Sequence, residues 1–403
     1  MNDRVTAMVR ETLGSEAVGQ DPDGRPRVAP ESTEDMARVL ELAHREGWQV
    51  RIDGRSSWTP GDAPAHLVVT TSALDTVMNV APQDLLATVE AGAAFGAVQR
   101  RLAEDRVWLT ADPPGRAQRS IGSIVATGTA GPLRHRFGPI RDQILGVTLV
   151  TGDGRVIRPG GTVTKNVAGY DLTKLVAGGF GAFGVITELH LRLRAIPEVD
   201  RTLIARGDRD ALSSAGRDLA QAAIDAVALE LLSPAMAADP EWVLAVRLTG
   251  EAGGVEAEIA RTRATASLEW AVLAPEQANG LWHGAAHAAH AGTITLRLGV
   301  LLDGIDDTLD LLSDHLDVGL VSGGAGSGSI RWTGEATVDR LQALRRVAAG
   351  REIPITLERG PWEIRQLVGH FGLYREGVGN LVGQLRETFD PGRILQVPLD
   401  ANG

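Results

Sequence analysis

The chain has 403 residues, a formal net charge of −11 and no cysteine. The acidic balance, with no basic stripe, argues against a nucleic-acid partner. The lack of cysteine excludes disulfides, Cys-based zinc sites and iron–sulfur ligation within this chain, so an electron relay through such a cluster has to lie on another polypeptide.

With 43% hydrophobic and 23% charged residues the composition is that of a soluble globular protein, and the length suggests two domains. Residues 1–5 carry no apolar signal region and no transmembrane-length run follows. The expectation is a cytoplasmic protein that reaches the inner face of a membrane only through a partner.

In chain order, residues 21–30 are rich in Pro, Gly and Arg and read as an entry loop. Residues 31–46 have helical periodicity, with Ser32 or Thr33 as cap and Met36, Val39, Leu40 and Ala43 on one face. Residues 49–53 and 66–71 read as strands joined by a loop at 54–64. A strand at 84–90 and a helix at 94–104 follow, the latter with Phe95, Val98 and Leu102 aligned. This start is an α/β signature. Residues 144–151 and 154–158 read as a hairpin about Gly152-Asp153-Gly154. Residues 184–194 alternate as a long strand, and 195–198 break the pattern at the main domain boundary.

Beyond that boundary, strands near 243–248, 294–301 and 353–357 alternate with helices near 211–227, 255–267, 305–315 and 336–349. The glycine- and serine-rich run 322–329 reads as a flexible loop or a mobile strand edge. A last helix covers 377–388.

Glycine and small residues recur at the ends of apolar runs, as a backbone needs when it approaches a large flat ligand carrying phosphates. The strings are Asp53-Gly-Arg-Ser-Ser57, Asp112-Pro-Pro-Gly115, Ser120-Ile-Gly-Ser123, Ala126-Thr-Gly-Thr-Ala-Gly131, Phe137-Gly138, Arg141-Asp142, Lys165-Asn-Val-Ala-Gly-Tyr-Asp-Leu172 and Gly181-Ala-Phe-Gly-Val-Ile-Thr-Glu188. Taken singly, each also fits a plain turn, a helix start or a glycine bulge. His283, His287 and His290 have a spacing that can hold zinc, but no carboxylate accompanies them and a solvated or partner-facing helix is the better reading. No metal site is expected.

The order of these strings closely resembles the FAD-binding domain of the p-cresol methylhydroxylase/vanillyl-alcohol oxidase (PCMH) type. Within that superfamily the chain is most similar to the E-type subunit of bacterial glycolate oxidase. The resemblance implies an α+β fold: a PCMH-type FAD-binding domain of two α/β subdomains at 20–198, a cap domain with an antiparallel sheet and helices at 199–370, and a C-terminal helix and tail at 371–403 returning to the FAD domain. It implies FAD contacts from Asp53, Gly54, Arg55, Ser56, Ser57, Pro113, Ser120, Gly122, Ser123, Thr127, Gly131, Asp142, Gly184, Val185 and Ile186, with the backbone at Gly122 and Ser123 facing the diphosphate and the isoalloxazine edge. Lys165, Asn166 and Tyr170 are placed in the neighbourhood of flavin or substrate. No residue is given a catalytic step.

The loop after the first strand has no histidine, so the FAD is expected to be noncovalent. The family's histidine-rich segment and late Glu-His pair, typical of D-type subunits, are not found. Ser56, Ser123 and Ala182 stand where the family typically has Gly, Gly and Thr. The expected function is therefore an FAD-binding subunit of a glycolate oxidase-like complex that oxidises 2-hydroxy acids such as glycolate or D-lactate. A D-type flavin subunit and an iron–sulfur F-type subunit would be its partners. Two rivals remain: a flavin-free structural subunit, and a stand-alone flavin-dependent hydroxy-acid or alcohol dehydrogenase.

Overall fold

The computed structural model describes residues 2–14, 18–115, 117–161, 171–372, 374–397 and 399. Its architecture is α+β, built on three main sheets, each with a hydrophobic core.

The first sheet has the order Val18–Gln20, Pro26–Val28, Leu67–Thr70, Val50–Asp53, with its last three strands parallel. Residues 21–30 are thus not simply a loop, because Pro26–Val28 pairs with Leu67–Thr70. Proline is tolerated there as the first residue of a short strand. Helix Thr33–Glu46 covers the sheet and buries Met36, Val39, Leu40 and Ala43. Ser32 caps it by accepting from the Asp35 N–H, and Gly47 ends it in a left-handed conformation. From the far end of the chain, Ile394 and Gln396 bond Val50, so the tail lies beside the strand Val50–Asp53.

The second sheet is antiparallel, in the order Val77–Ala81, Leu86–Glu90, Val185–Arg192, Ile144–Val150, Val156–Ile157. Every residue of Ile144–Val150 is buried. Helices Phe95–Glu104 and Ile121–Thr127 pack on this core, and Phe389, from helix Val378–Phe389, joins it.

The third sheet has eight antiparallel strands in the order Ala271–Val272, Val199–Gly207, Trp242–Gly250, Ala226–Leu232, Leu320–Gly324, Ser329–Gly334, Ile294–Gly299, Ile355–Arg359. Its apolar core includes residues of helices Arg209–Gln221, Ala252–Thr265, Ile305–His315 and Val338–Gly350. The helix expected to reach 227 stops at Gln221, and Ala226–Leu232 is a fully buried strand. A short apolar run of that kind has no periodicity to separate it from a buried helix. Residues 322–329 are not a mobile edge. They turn the hairpin Leu320–Gly324/Ser329–Gly334 in the middle of the sheet. At Gly328 a Cβ would lie 1.9 Å from Val300 O, so the glycine permits close strand packing. No helix among the described residues is long and apolar enough to cross a membrane.

Candidate functional site

A cleft opens where the first two sheets meet. It encloses about 1060 Å³ with its open mouth included. Four chain segments wall it.

The first wall is the loop that follows strand Val50–Asp53. Among the described residues, no backbone N–H of residues 54–59 donates to a protein acceptor. These amides are left without a protein acceptor beside the cleft, as an anion-binding loop requires. Thr70 Oγ1 fixes the loop by donating to Gly54 O at 2.8 Å, and Arg55 Nε donates to Gly92 O at 2.7 Å. Ser56 sits at φ 49, in the left-handed region where glycine is favoured. The serine keeps the glycine's conformation at a cost of roughly 1 kcal/mol. At Gly54 a Cβ would fall 2.4 Å from Ser120 Oγ, so the loop lies tight against the second wall.

That second wall is helix Ile121–Thr127. Its first amides are already engaged: Ile121 N–H donates to Ala93 O, Gly122 N–H to Ala91 O at 2.7 Å, and Ser123 N–H to Ser120 Oγ at 3.3 Å. Gly122 and Ser123 line the cleft as expected, but these N–H groups already have partners within the protein. Gly122 is a glycine because a Cβ there would meet Ala91 at 2.8 Å. What this helix offers the cleft is the side chains of Ser123 and Thr127. Behind them lies Arg119, 1% exposed, 4.2 Å over the Trp58 ring. Burial lowers its pKa to about 9, so it stays a cation at neutral pH.

The third wall is formed by Phe180, Gly181, Gly184, Val185 and Ile186. Val185 and Ile186 pair with Val150 and Leu149 on one edge, while the strand on the other side, Leu86–Glu90, begins only opposite Glu188. One main-chain edge therefore faces the cleft. Gly184 has φ 134, and a Cβ there would lie 2.4 Å from Val150 O. Ala182 is fully buried, where a hydroxyl would need a partner.

The fourth wall comes from the end of the chain: Arg365, His370, Leu395, Gln396 and Val397. His370 stacks on Phe180 at 3.8 Å, and burial lowers its pKa to about 3, so the ring is neutral. Arg365 pairs with Asp62 at 2.5 Å and holds the end of the first loop.

Of the residues expected at FAD, the cleft brings together Asp53, Gly54, Arg55, Ser56, Ser57, Gly122, Ser123, Thr127, Gly184, Val185 and Ile186. Pro113, Ser120, Gly131 and Asp142 do not line it. Ser120 is a helix cap, and Gly131 packs on Asp112, where a Cβ would lie 2.0 Å from the backbone oxygen. Pro113 is buried, and Asp142 is exposed beside Arg141. Lys165, Asn166 and Tyr170 lie outside the described residues. Trp58, Arg119, Phe180, Arg365 and His370 carried no recognisable signal, since their roles depend on contacts between distant segments.

Next to the cleft, polar strand residues of the third sheet meet the first domain. Arg297 and Arg331 bond Glu358 at 2.9 and 2.8 Å, and Arg331 also donates to Ala130 O. Burial works to raise Glu358, but Arg331 and Arg297 outweigh it and hold the carboxyl below its ordinary range. Burial pushes Asp112 up to about 7. It pushes Glu230 up to about 8, with Asp112 adding to the effect.

No cluster of three or more His, Asp and Glu that could hold a metal occurs among the described residues. His283 and His287 sit on helix Pro275–His287, whereas His290 turns away against Trp58.

Residues 26–160 match the family model described as FAD binding domain. The chain is 36% identical over 128 residues to glycolate oxidase subunit GlcE of Escherichia coli, covering 32% of this chain and 37% of that protein. It is 30% identical over 211 residues to glycolate oxidase subunit GlcD of Bacillus subtilis, covering 51% and 44%. It thus spans less than half the length of either relative. Among solved structures, 4-ethylphenol oxidase from Gulosibacter chungangensis superposes with a TM-score of 0.76 at 15% identity, covering 98% of this chain and 95% of that one. An alkyldihydroxyacetonephosphate synthase gives 0.73 at 13%, covering 98% and 84%. At such identities the likeness is one of fold. Residues 26–160 thus match an FAD binding domain, and the chain as a whole has the fold of these solved structures.

Proposed function

We propose that the chain binds FAD noncovalently in this cleft and serves as the FAD-binding subunit of a glycolate oxidase-like complex that oxidises 2-hydroxy acids. The observation that carries the reading is the convergence of free amides at 54–59, the Ser123 and Thr127 side chains, and the open edge at 185–186 on one cleft. When bound, FAD supplies hydride-accepting chemistry. The residues of this chain would seat it. The loop amides and Arg55 suit the diphosphate, the hydroxyl of Ser123 suits a polar cofactor atom, and the main chain of Val185 and Ile186 suits a neighbouring hydrogen-bonding edge.

The names of the relatives, glycolate oxidase subunits GlcD and GlcE, support a multi-subunit complex, whose partners we take to be a D-type flavin subunit and an iron–sulfur F-type subunit. Direct contacts close the third sheet onto the FAD domain: Arg331 to Ala130 O, Trp58 Nε1 to Glu358 O, and Arg359 Nε to Trp58 O. That favours a chain that carries cofactor and passes electrons over one that oxidises substrate alone. We place the complex in the cytoplasm, with membrane contact only through partners.

Purification from the native host, with an absorbance spectrum of each component, tests the reading. A yellow chain that co-purifies with partners and is inactive alone on glycolate and D-lactate with a dye is the expected result. A chain that stays colourless after FAD addition would mark a flavin-free structural subunit. Turnover by the isolated chain would mark a stand-alone dehydrogenase.

A further inference from the structure

Among the described residues the wall of the cleft holds one buried cation with no carboxylate in direct contact, attracted only from farther off by the buried Glu358. Five arginines are buried among the described residues: Arg51, Arg119, Arg331, Arg365 and Arg386. Four have a carboxylate within 3.9 Å: Asp21 and Asp53 for Arg51, Glu358 for Arg331, Asp62 for Arg365, and Asp390 for Arg386. Arg119 has none at that range among the described residues. Neutral acceptors hold it instead. Nη1 donates to Pro114 O at 2.8 Å, Nε to Ser123 Oγ at 3.3 Å, and Nη2 to Ser123 O and Thr127 Oγ1. A buried cation is costly unless an opposite charge accompanies it, and neutral acceptors offset only part of that cost.

The hydrogen bonds also set which hydroxyl is free. Thr127 spends its proton on Ser123 O at 2.7 Å. Ser123 Oγ accepts from Arg119, so its own O–H remains to donate, and Ser123 lines the cleft. Arg119 thus stands behind a hydroxyl that it holds in the donating orientation. The serine that replaces the glycine of the resembling family gains a role here rather than losing one.

We infer that Arg119 and Ser123 form one anion-directed unit in the cleft wall, with the guanidinium as fixed positive charge and Ser123 Oγ as donor to an anionic group of the bound dinucleotide. This rests on the FAD reading above. The anion has two sources, the diphosphate or the flavin ring once reduced. Arg119 acts through Ser123 and is a positioning residue.

The test measures binding of ADP and of FAD to the full chain, and the midpoint potential of bound FAD, for the native protein and for R119M, R119K and S123A. If the diphosphate is the target, R119M and S123A weaken ADP and FAD by about tenfold or more, the scale of a hydrogen bond to a charged group. If the reduced ring is the target, ADP affinity stays and the potential falls by about 30 mV or more, a tenfold change for a two-electron couple. R119K, which keeps the charge, stays near the native values in either case. Native affinity and potential in both R119M and S123A overturn the inference and leave Arg119 a structural clip. Should R119M not fold, S123A decides alone. A native chain that binds neither ADP nor FAD defeats the FAD reading itself, whereas native binding with indifferent variants defeats only this inference.

Discussion

Trp58 and Glu358, 300 residues apart in sequence, join the cleft loop to the third sheet: the indole Nε1 donates to the Glu358 backbone oxygen at 3.1 Å. Arg359 Nε returns a bond to Trp58 O at 3.1 Å. The loop that offers its amides to the cleft is thereby tied to the last strand of the third sheet. W58F keeps the apolar bulk but strands a buried carbonyl. It should cost about 1–2 kcal/mol in urea unfolding, and W58A about 3–5 kcal/mol. W58A should also bind FAD more weakly. Native stability in W58F would show that the bond does not contribute.

Ser56 tests whether the loop keeps a glycine's geometry under a different side chain. S56G removes left-handed strain but adds freedom to the unfolded chain, so the two effects of about 1 kcal/mol nearly cancel. S56V places a β-branched residue at φ 49 and should destabilise by about 1–2 kcal/mol, with FAD affinity lowered. Thermal melts with and without FAD check both. A fully tolerated S56V would mean that the loop readily leaves this conformation.

Gly122 packs tightly against Ala91 in this structure. G122A would push a methyl to 2.8 Å from both the Cβ and the backbone oxygen of Ala91. The expected loss is about 1–3 kcal/mol, seen as a lowered denaturation midpoint. If G122A keeps native stability but loses FAD, the helix backbone contacts the cofactor after all.

His370 gives the chain a defined acid sensitivity. Burial holds its folded pKa near 3, below its ordinary 6.5. As pH falls below 6.5 the unfolded chain takes up a proton that the folded one refuses. Stability from this group is therefore intact above pH 6.5 and declines toward pH 3 by about 1.4 kcal/mol per pH unit. H370F, which keeps the stack on Phe180, should flatten the slope of stability against pH between 6.5 and 4. An unchanged slope would mean that the imidazole is solvated enough to titrate normally.

The local elements were legible because their signals are local. Ser32 caps a helix whose apolar face recurs at Met36, Val39, Leu40 and Ala43, and Gly184 stands where a side chain would strike Val150 O. The strand Ala226–Leu232 was hidden because it is buried along its whole length and shows no alternation. Gly324 and Gly328 look like loop residues in isolation, yet strand packing requires small residues there. Within the cleft, the loops at 53–57, 122–127 and 184–186 were found from glycine spacing. Arg365, His370 and Gln396 were not, because only tertiary contact brings them there. Asp142 follows the right strings in sequence but is exposed and does not line the cleft, which sequence spacing alone does not tell.

The bond from Val50 N–H to Ile394 O, and the return from Gln396 N–H to Val50 O, have a kinetic corollary. A binding groove whose floor starts at residue 51 and whose far side ends at residue 397 cannot exist on a nascent chain until the entire eight-stranded sheet has emerged. The last wall of the groove then closes only when synthesis is complete, and removing residues from 394 onward should both loosen the first sheet and weaken FAD retention.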